Sequence, residues 1–529
     1  MTVRVLPMGE GGILLEVGSL DDVLTLHAAL AASRLEGVVD LVPAARTVLV
    51  RIDPRRVALA AARSWAFSAA ESAGSVTRRA GRLIELEVAY DGADLGETAA
   101  VLGISVDELV RRHTSAEWSV AFTGFAPGFG YLVSEDWPFE VPRLAVPRTR
   151  VPAGAVALAA GFSGVYPRET PGGWRLIGTT SAMLFDPDAA TPVLLAPGTR
   201  VRFRAGATRA AAAGPAARAQ LVAESSGISH TLGDQLRSRR PGIRVVEAGL
   251  LATVQDLGRD GSAAVGVAGS GALDRVALRA ANRLVGNPEG AAAVEITMGG
   301  FRAAAEVPTW FAVTGAWGPV RLGGGVVDPY EAHVWPAGAE LHLDRFVHGA
   351  RAYLAVRGGI DAAAVLGSRS TDLLSGIGPA ALEPGDVVPL GAEPSTPVPV
   401  AALMPWTAPA DDEIELELMP GPRADWFAAS ALPTLFEAVW TVSGAADRVG
   451  VRLDGPALGR VREDELHSEG MVPGALQVPP SGRPVILGAD GPVTGGYPVI
   501  AVMTDAALPA LAQARPGTRI RFRHARPHA

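Results

Sequence analysis

Positions 1–80 alternate between short β-branched runs and one longer amphipathic stretch. Val3–Leu6 and Ile13–Val17 predict strands with a turn at Gly9–Gly12. Asp21–Ala32 is apolar at helical spacing, and Thr47–Ile52 predicts another strand. We read 1–80 as a small α+β unit. A second unit opens at Leu83–Tyr90, where apolar and polar positions alternate as in a half-buried strand. Two short helices follow, the second opened by the capping box Ser105-Val-Asp-Glu108 and ending near His113. From Trp118 to Arg204, short apolar runs broken by Pro and Gly predict an all-β barrel or sandwich.

The pattern lapses over 205–240, first into AGATRAAAAGPAARAQ and then into a polar stretch. We assign 209–240 as a linker between two once-separate proteins. Beyond it, Gly242–Ala248 begins a β-rich region that holds one strong helix, Leu273–Val285. Val276, Ala280 and Leu284 share a face of it, and Gly286, Asn287 and Pro288 stop it. Pro197-Gly-Thr-Arg-Val-Arg-Phe-Arg204 recurs as Pro516-Gly-Thr-Arg-Ile-Arg-Phe-Arg523, with a looser copy at Pro336–Leu343. Val151–Ala155 and Gly172-Gly-Trp174 likewise match Val472–Ala475 and Gly495-Gly-Tyr497. Such order with drifting spacing is expected of duplicated β-domains. The fold class expected is mainly β: the α+β unit, one barrel at 81–208, and two related barrels at 241–400 and 401–529.

Composition narrows the chemistry. Among the 529 residues there is no cysteine, and all 47 Lys+Arg positions are arginine. Disulfides, thiolate nucleophiles and Cys-ligated metals are excluded, as are a Schiff-base, phosphate-loop or biotin-carrying lysine. A net charge of −8 gives no electrostatic case for nucleic acid. The N-terminal residues lack the pattern of a signal peptide, and no apolar run is long enough to span a membrane. A cytoplasmic protein is expected.

Four loop clusters could carry function. In Phe122–Leu132, Phe125, Pro127, Gly128 and Tyr131 could form an aromatic wall with open backbone N–H groups, or a tight turn with its aromatics in the core. Arg143 and Arg148, each after a proline, suit carboxylate or phosphate, or simply face solvent. In Gly249–Gly261, Gln255, Asp256 and Arg259 cluster, followed by Asp274 at a helix start; Asp256 or Asp274 could be a general base or Mg²⁺ ligand, or Asp274 an N-cap. Asn282 could face a cleft or water. Loops 357–372 and 468–498 add Arg369, Ser370, Glu469, Gln477, Asp490, Thr494 and Tyr497, and could equally be buried turn networks. The nine histidines are not expected to form a metal site.

GFAPGFGYL, with PRLAVPRTRVPAG and YPRETPGGWRLIG, resembles the family of allophanate hydrolase subunit 1, also named the 5-oxoprolinase B subunit, which includes the Kip-type kinase inhibitor. GLLATVQDLGRDG, SGALDRVALRAANRLVGN, AYLAVRGGID, GSRSTD, SEGMVPGALQVP and TGGYPVIA resemble the companion family of allophanate hydrolase subunit 2, the 5-oxoprolinase C subunit, described as biotin-dependent carboxyltransferase-like. The chain is therefore similar to a fusion of the two. The resemblance implies cyclophilin-like barrels and ATP-dependent opening of 5-oxoproline to glutamate, with ATP and Mg²⁺ as cofactors and the LamB/YcsF-type 5-oxoprolinase component as partner. Asp256, Asp274, Glu469 and Asp490 are the catalytic candidates, with Trp174 among the ligand-binding ones. No bound biotin is expected, and a homo-oligomer is compatible. Alternatives are carboxyl transfer to a urea-like or amide substrate from a separate biotin carrier, and inhibition of a histidine kinase. Phe162, Ala446–Arg452 and Asp490–Thr494 depart from the family pattern, so the substrate could differ.

Overall fold

The computed structural model describes residues 1–73, 81–187, 189, 191–206, 241–399 and 406–526. The expected linker at 209–240 lies outside them. Four strands, Arg4–Pro7, Gly12–Glu16, Thr47–Ile52 and Val38–Pro43, form an antiparallel sheet in that spatial order. Helices α1 (Leu20–Ala32) and α2 (Leu59–Ser72) cover one face, where Ile13, Leu15, Val48 and Val50 pack with Val23 and Leu26. The opposite face presents Leu6, Leu14, Val42 and Leu49 to Met471, Ala475, Val499 and Val502 of the C-terminal region. Both faces are buried, so the strands read as nearly continuous apolar runs. Each of these side chains contributes about 1.5–3 kcal/mol on burial, and Leu49→Asp would break the seam. The strand Val38–Pro43 and helix α2 are additions to the sequence reading.

The next unit is a seven-stranded sheet running from Arg175–Thr179 at one edge to Leu83–Val88 at the other. Ile84, Leu86 and Val88 point inward and Leu83, Glu85 and Glu87 outward, as the alternation predicts. Helices α3 (Leu95–Val101) and α4 (Val106–Ser115) match the two expected, and the Ser105 hydroxyl accepts the Glu108 N–H at 3.1 Å.

From residue 242 on, a six-stranded and a five-stranded sheet share one core, and beyond residue 412 seven strands close a barrel. The repeat has a topological meaning. Arg200–Ala205 runs parallel to Leu83–Val88 and antiparallel to Trp118–Thr123. Arg519–His524 runs parallel to Glu413–Pro420 and antiparallel to Trp440–Val442 in the same way. Trp118 and Trp440 each donate their indole N–H to a carbonyl five residues back, His113 at 3.1 Å and Leu435 at 3.0 Å. The looser copy at Pro336–Leu343 is a different element: its strand Glu340–Leu343 has two antiparallel neighbours and no parallel one among the described residues.

Helix α5 (Arg275–Leu284) is capped by Asp274, whose carboxylate accepts the Ala277 N–H at 2.9 Å, and Gly286 ends it at φ +71°. Ala277, Leu278, Ala281 and Leu284 pack on Ala312, Tyr353 and Ala355. Val276 does not join the expected apolar face. It is 58% exposed, because it lies in the first turn of α5, where it borders a cleft instead of packing on the sheet.

Candidate functional site

Segments distant in sequence meet within the second half of the chain, between its two-sheet unit and its closed barrel. Arg448, fully buried, donates to Glu295 at 2.6 Å, to both oxygens of Asp490 at 2.9 Å, and to the Gly271 carbonyl at 2.7 Å. Asp490 also accepts the Ser270 hydroxyl at 2.7 Å and the Leu373 N–H at 3.1 Å. Glu295 accepts the Tyr353 hydroxyl at 2.7 Å, and that hydroxyl accepts the Asp274 N–H at 2.8 Å. Burial alone would lower the Arg448 pKa, but Glu295 and Asp490 outweigh it and hold the guanidinium firmly charged.

Asp256 accepts from Ser368 at 2.7 Å, Ser370 at 2.5 Å, and the backbone of Arg369 at 2.7 Å and Gly258 at 2.8 Å. Its lone pairs are spent on binding the loops together. Arg259 donates to the Ser370 carbonyl, Gln255 to the Thr371 carbonyl at 3.0 Å. Glu469 is paired with Arg423, which also reaches Glu16 at 2.6 Å. Of the four expected carboxylates, Asp274 lines a cleft.

That cleft, about 830 Å³, is walled by Val276, Ala280, Arg283, Tyr330, Trp406 and Gln513. Tyr330 and Trp406 stack with centroids 4.7 Å apart and planes 3° apart. Tyr330 sits at φ +62°, a costly conformation for an aromatic residue, and its hydroxyl accepts the Gly315 N–H at 2.9 Å. Gln513 Oε1 accepts the N–H groups of Ala350 and Arg351, both at 3.1 Å. This fixes its Nε2, which donates to Asp274 at 2.9 Å. Burial raises the Asp274 pKa, against the opposing hydrogen bonds from Ala277 and Gln513. A positioned carboxyl of raised pKa in a mostly apolar cleft suits general acid–base chemistry on a small, flat, polar molecule.

The aromatic loop takes another role. Phe125, Phe129, Tyr131 and Trp174 pack edge to face, with centroid distances of 5.4 Å for Phe125–Phe129 and 5.4 Å for Tyr131–Trp174. The expected open N–H groups are instead used: Gly128 donates to the Val265 carbonyl at 3.2 Å, Phe129 to Ala126 at 2.9 Å, and Phe125 to the Thr494 hydroxyl at 3.0 Å. Pro127 lies against Gly266, where a Cβ would touch it. The loop is thus a joint between the halves rather than an anion cradle. Phe125 holds φ +64° there and remains 37% exposed.

Of the remaining candidates, Arg143 pairs with Glu465 and Arg148 with Asp94 at 2.5 Å, so both expected anion-binding cations are neutralised internally. Asn282 is fully buried rather than facing a cleft or water, donating to the Ala291 carbonyl at 2.7 Å. Gln477 is buried beside Met471, Arg369 lies 3.4 Å from Asp361, and Tyr497 is 46% exposed. Sequence reasoning missed Arg448, Glu295, Tyr330, Trp406 and Gln513. One signal was available: Glu295 is a lone acid inside the apolar strand Ala293–Thr297.

The family described as carboxyltransferase domain, subdomains C and D, matches residues 3–195, and subdomains A and B match 265–524. The 5-oxoprolinase C subunit of Escherichia coli K12 is 39% identical over 285 residues, covering 53% of this chain and 90% of the relative. The 5-oxoprolinase B subunit of Escherichia coli O157:H7 is 40% identical over 211 residues, covering 37% and 93%. The crystal structure of TTHA0988 superposes with a TM-score of 0.82 at 34% identity, over 99% of this chain and 100% of that one. The urea amidolyase of Lachancea kluyveri is 33% identical over 303 residues, but that stretch is 16% of its length. The chain belongs to the carboxyltransferase-domain family that includes the B and C subunits of 5-oxoprolinase, with both joined in one polypeptide.

Proposed function

We propose that this chain supplies the fused B and C components of an ATP-dependent 5-oxoprolinase, opening 5-oxoproline to glutamate with a separate LamB/YcsF-type protein. The observation that carries this reading is that relatives named as the B and C subunits of 5-oxoprolinase each align over nine-tenths or more of their length, in tandem. When bound, ATP would supply a phosphoryl group to the lactam oxygen. Among the described residues no cluster of three or more His, Asp or Glu could cage a metal. This fits a Mg²⁺ that arrives on nucleotide phosphates and retains its waters, rather than one resident in the protein. Asp274 would take the proton from the attacking water, Gln513 would hold the carboxylate in register, and the Tyr330–Trp406 wall would seat the ring. Asp256, Asp490 and Glu469 would serve as positioning residues.

Carboxyl transfer is the second reading, favoured by the family description and the urea amidolyase relatives. Without lysine, it needs a separate biotin carrier. Kinase inhibition through the first half is disfavoured, because one sheet face and the aromatic loop of that half are already covered by the second. The test is Asp274→Asn in the chain assembled with its partner. Lost turnover with intact assembly supports the reading; wild-type turnover would sink the role of Asp274.

A further inference from the structure

A second cleft, about 580 Å³, lies between the N-terminal sheet, the start of α5 and the segment around Asp505. Val276 and Pro509 line both clefts, so the two share a wall. Five arginines line the second: Arg51, Arg55, Arg275, Arg279 and Arg351, the last buried and donating to the Ala512 carbonyl. Arg51 is committed to Asp40 at 3.0 Å, with Asp260 at 3.7 Å, and Arg279 stands 3.7 Å from Glu289. Arg55 and Arg275 form no ion pair among the described residues.

Arg275 lines the cleft and is open to solvent. Burial lowers its pKa, and Arg51 and Arg279 lower it further, with only Asp260 and Asp505 opposing. It also occupies the first turn of α5, where the helix dipole disfavours a cation. Five acids also line the cleft, Glu10, Asp53, Asp260, Asp447 and Asp505, and three of them are oriented by backbone N–H groups. Glu10 accepts the Asp505 N–H at 2.8 Å, Asp53 the Arg55 N–H at 3.0 Å, and Asp447 the N–H groups of Val449 and Gly450 at 2.8 and 3.0 Å. Burial and Glu10 raise the pKa of the Asp505 carboxyl, while Arg275, Arg51 and Arg55 oppose them.

We propose that this cleft binds a phosphate group, either free or carried on a nucleotide, between the guanidiniums of Arg55, Arg275 and Arg279. Arginine forks match phosphate oxygens, and a bound dianion would offset the mutual repulsion of the cations. The inference does not depend on 5-oxoproline being the substrate, since binding is read on the full chain alone. Its failure would leave the turnover test untouched.

The experiment is calorimetric titration of the full chain with inorganic phosphate, ATP and adenosine, repeated for Arg55→Gln, Arg275→Gln and, as a distant control, Arg244→Gln. The expected result is saturable phosphate binding, weakened about tenfold or more by R55Q and by R275Q and unchanged by R244Q. Tighter binding of ATP than of phosphate, with adenosine silent, would identify a nucleotide tail; equal affinities would identify free phosphate. No saturable heat from either anion, or binding that survives R55Q and R275Q together, would overturn the proposal. Should R275Q fail to fold, the exposed R55Q carries the test.

Discussion

The Phe125 backbone N–H donates to the Thr494 hydroxyl at 3.0 Å across 369 residues of sequence. Each belongs to a segment shared with a different subunit family, and Gly124 approaches the threonine too closely to admit a Cβ. Thr494→Val keeps the shape and leaves a buried donor unpaired, at about 1–3 kcal/mol. Chemical denaturation should show the loss. An unchanged midpoint would mean that the contact does not hold the halves together.

Among the described residues, Arg448 is the only guanidinium paired with Glu295 and Asp490, and its one charge is shared between them. Arg448→Met fills a similar volume but strands two buried carboxylates. The expected destabilisation is about 3–5 kcal/mol, read from the urea midpoint. The further change Asp490→Asn should recover part of it. A double variant no better than the single would show that charge is not what the arginine supplies.

His113 is fully buried between the Tyr90 hydroxyl at 2.7 Å and the Ser163 hydroxyl at 2.9 Å, and burial lowers its pKa to about 3. The unfolded chain therefore takes up this proton first. The stability contributed by the neutral ring is present above pH about 6.5 and is lost as pH falls toward the folded value, at up to about 1.4 kcal/mol per unit. Unfolding measured from pH 7 to pH 5 should show that slope, and His113→Phe should flatten it. Equal slopes in the two proteins would contradict the assignment.

Much of the fold could be read from the chain, because period and punctuation are local. The alternation at Leu83–Val88 and the serine cap at Ser105 are legible in this way. The strand Val38–Pro43 carries apolar residues on both faces because one face meets the C-terminal region, and no local pattern reveals that partner. The site is less legible for the same reason. Asp256 reads as a base in the sequence, but Ser368 and Ser370, 112 and 114 residues away, occupy its oxygens. Asp274 stands out at its helix start, yet Gln513, 239 residues on, cannot be linked to it by spacing.

Asp274 has its pKa raised by burial, so a base at this position loses activity on acidification at a pH above the ordinary carboxylate range near 3.9. The acid limb of kcat/KM should lie there. Gln513→Leu removes one hydrogen bond to the ionised form, so it should move that limb further up and lower kcat more than it raises KM. A limb at the ordinary value, unmoved in Gln513→Leu, would assign the proton transfer to another group.

The most direct measurement is the release of glutamate and phosphate from 5-oxoproline and ATP by the full chain combined with a LamB/YcsF-type protein. The proposed function predicts the two products in equal amounts, with neither formed when either protein is omitted. Absence of glutamate from the combined proteins, or transfer of carboxyl from carboxybiotin to a urea-like substrate in its place, would contradict it.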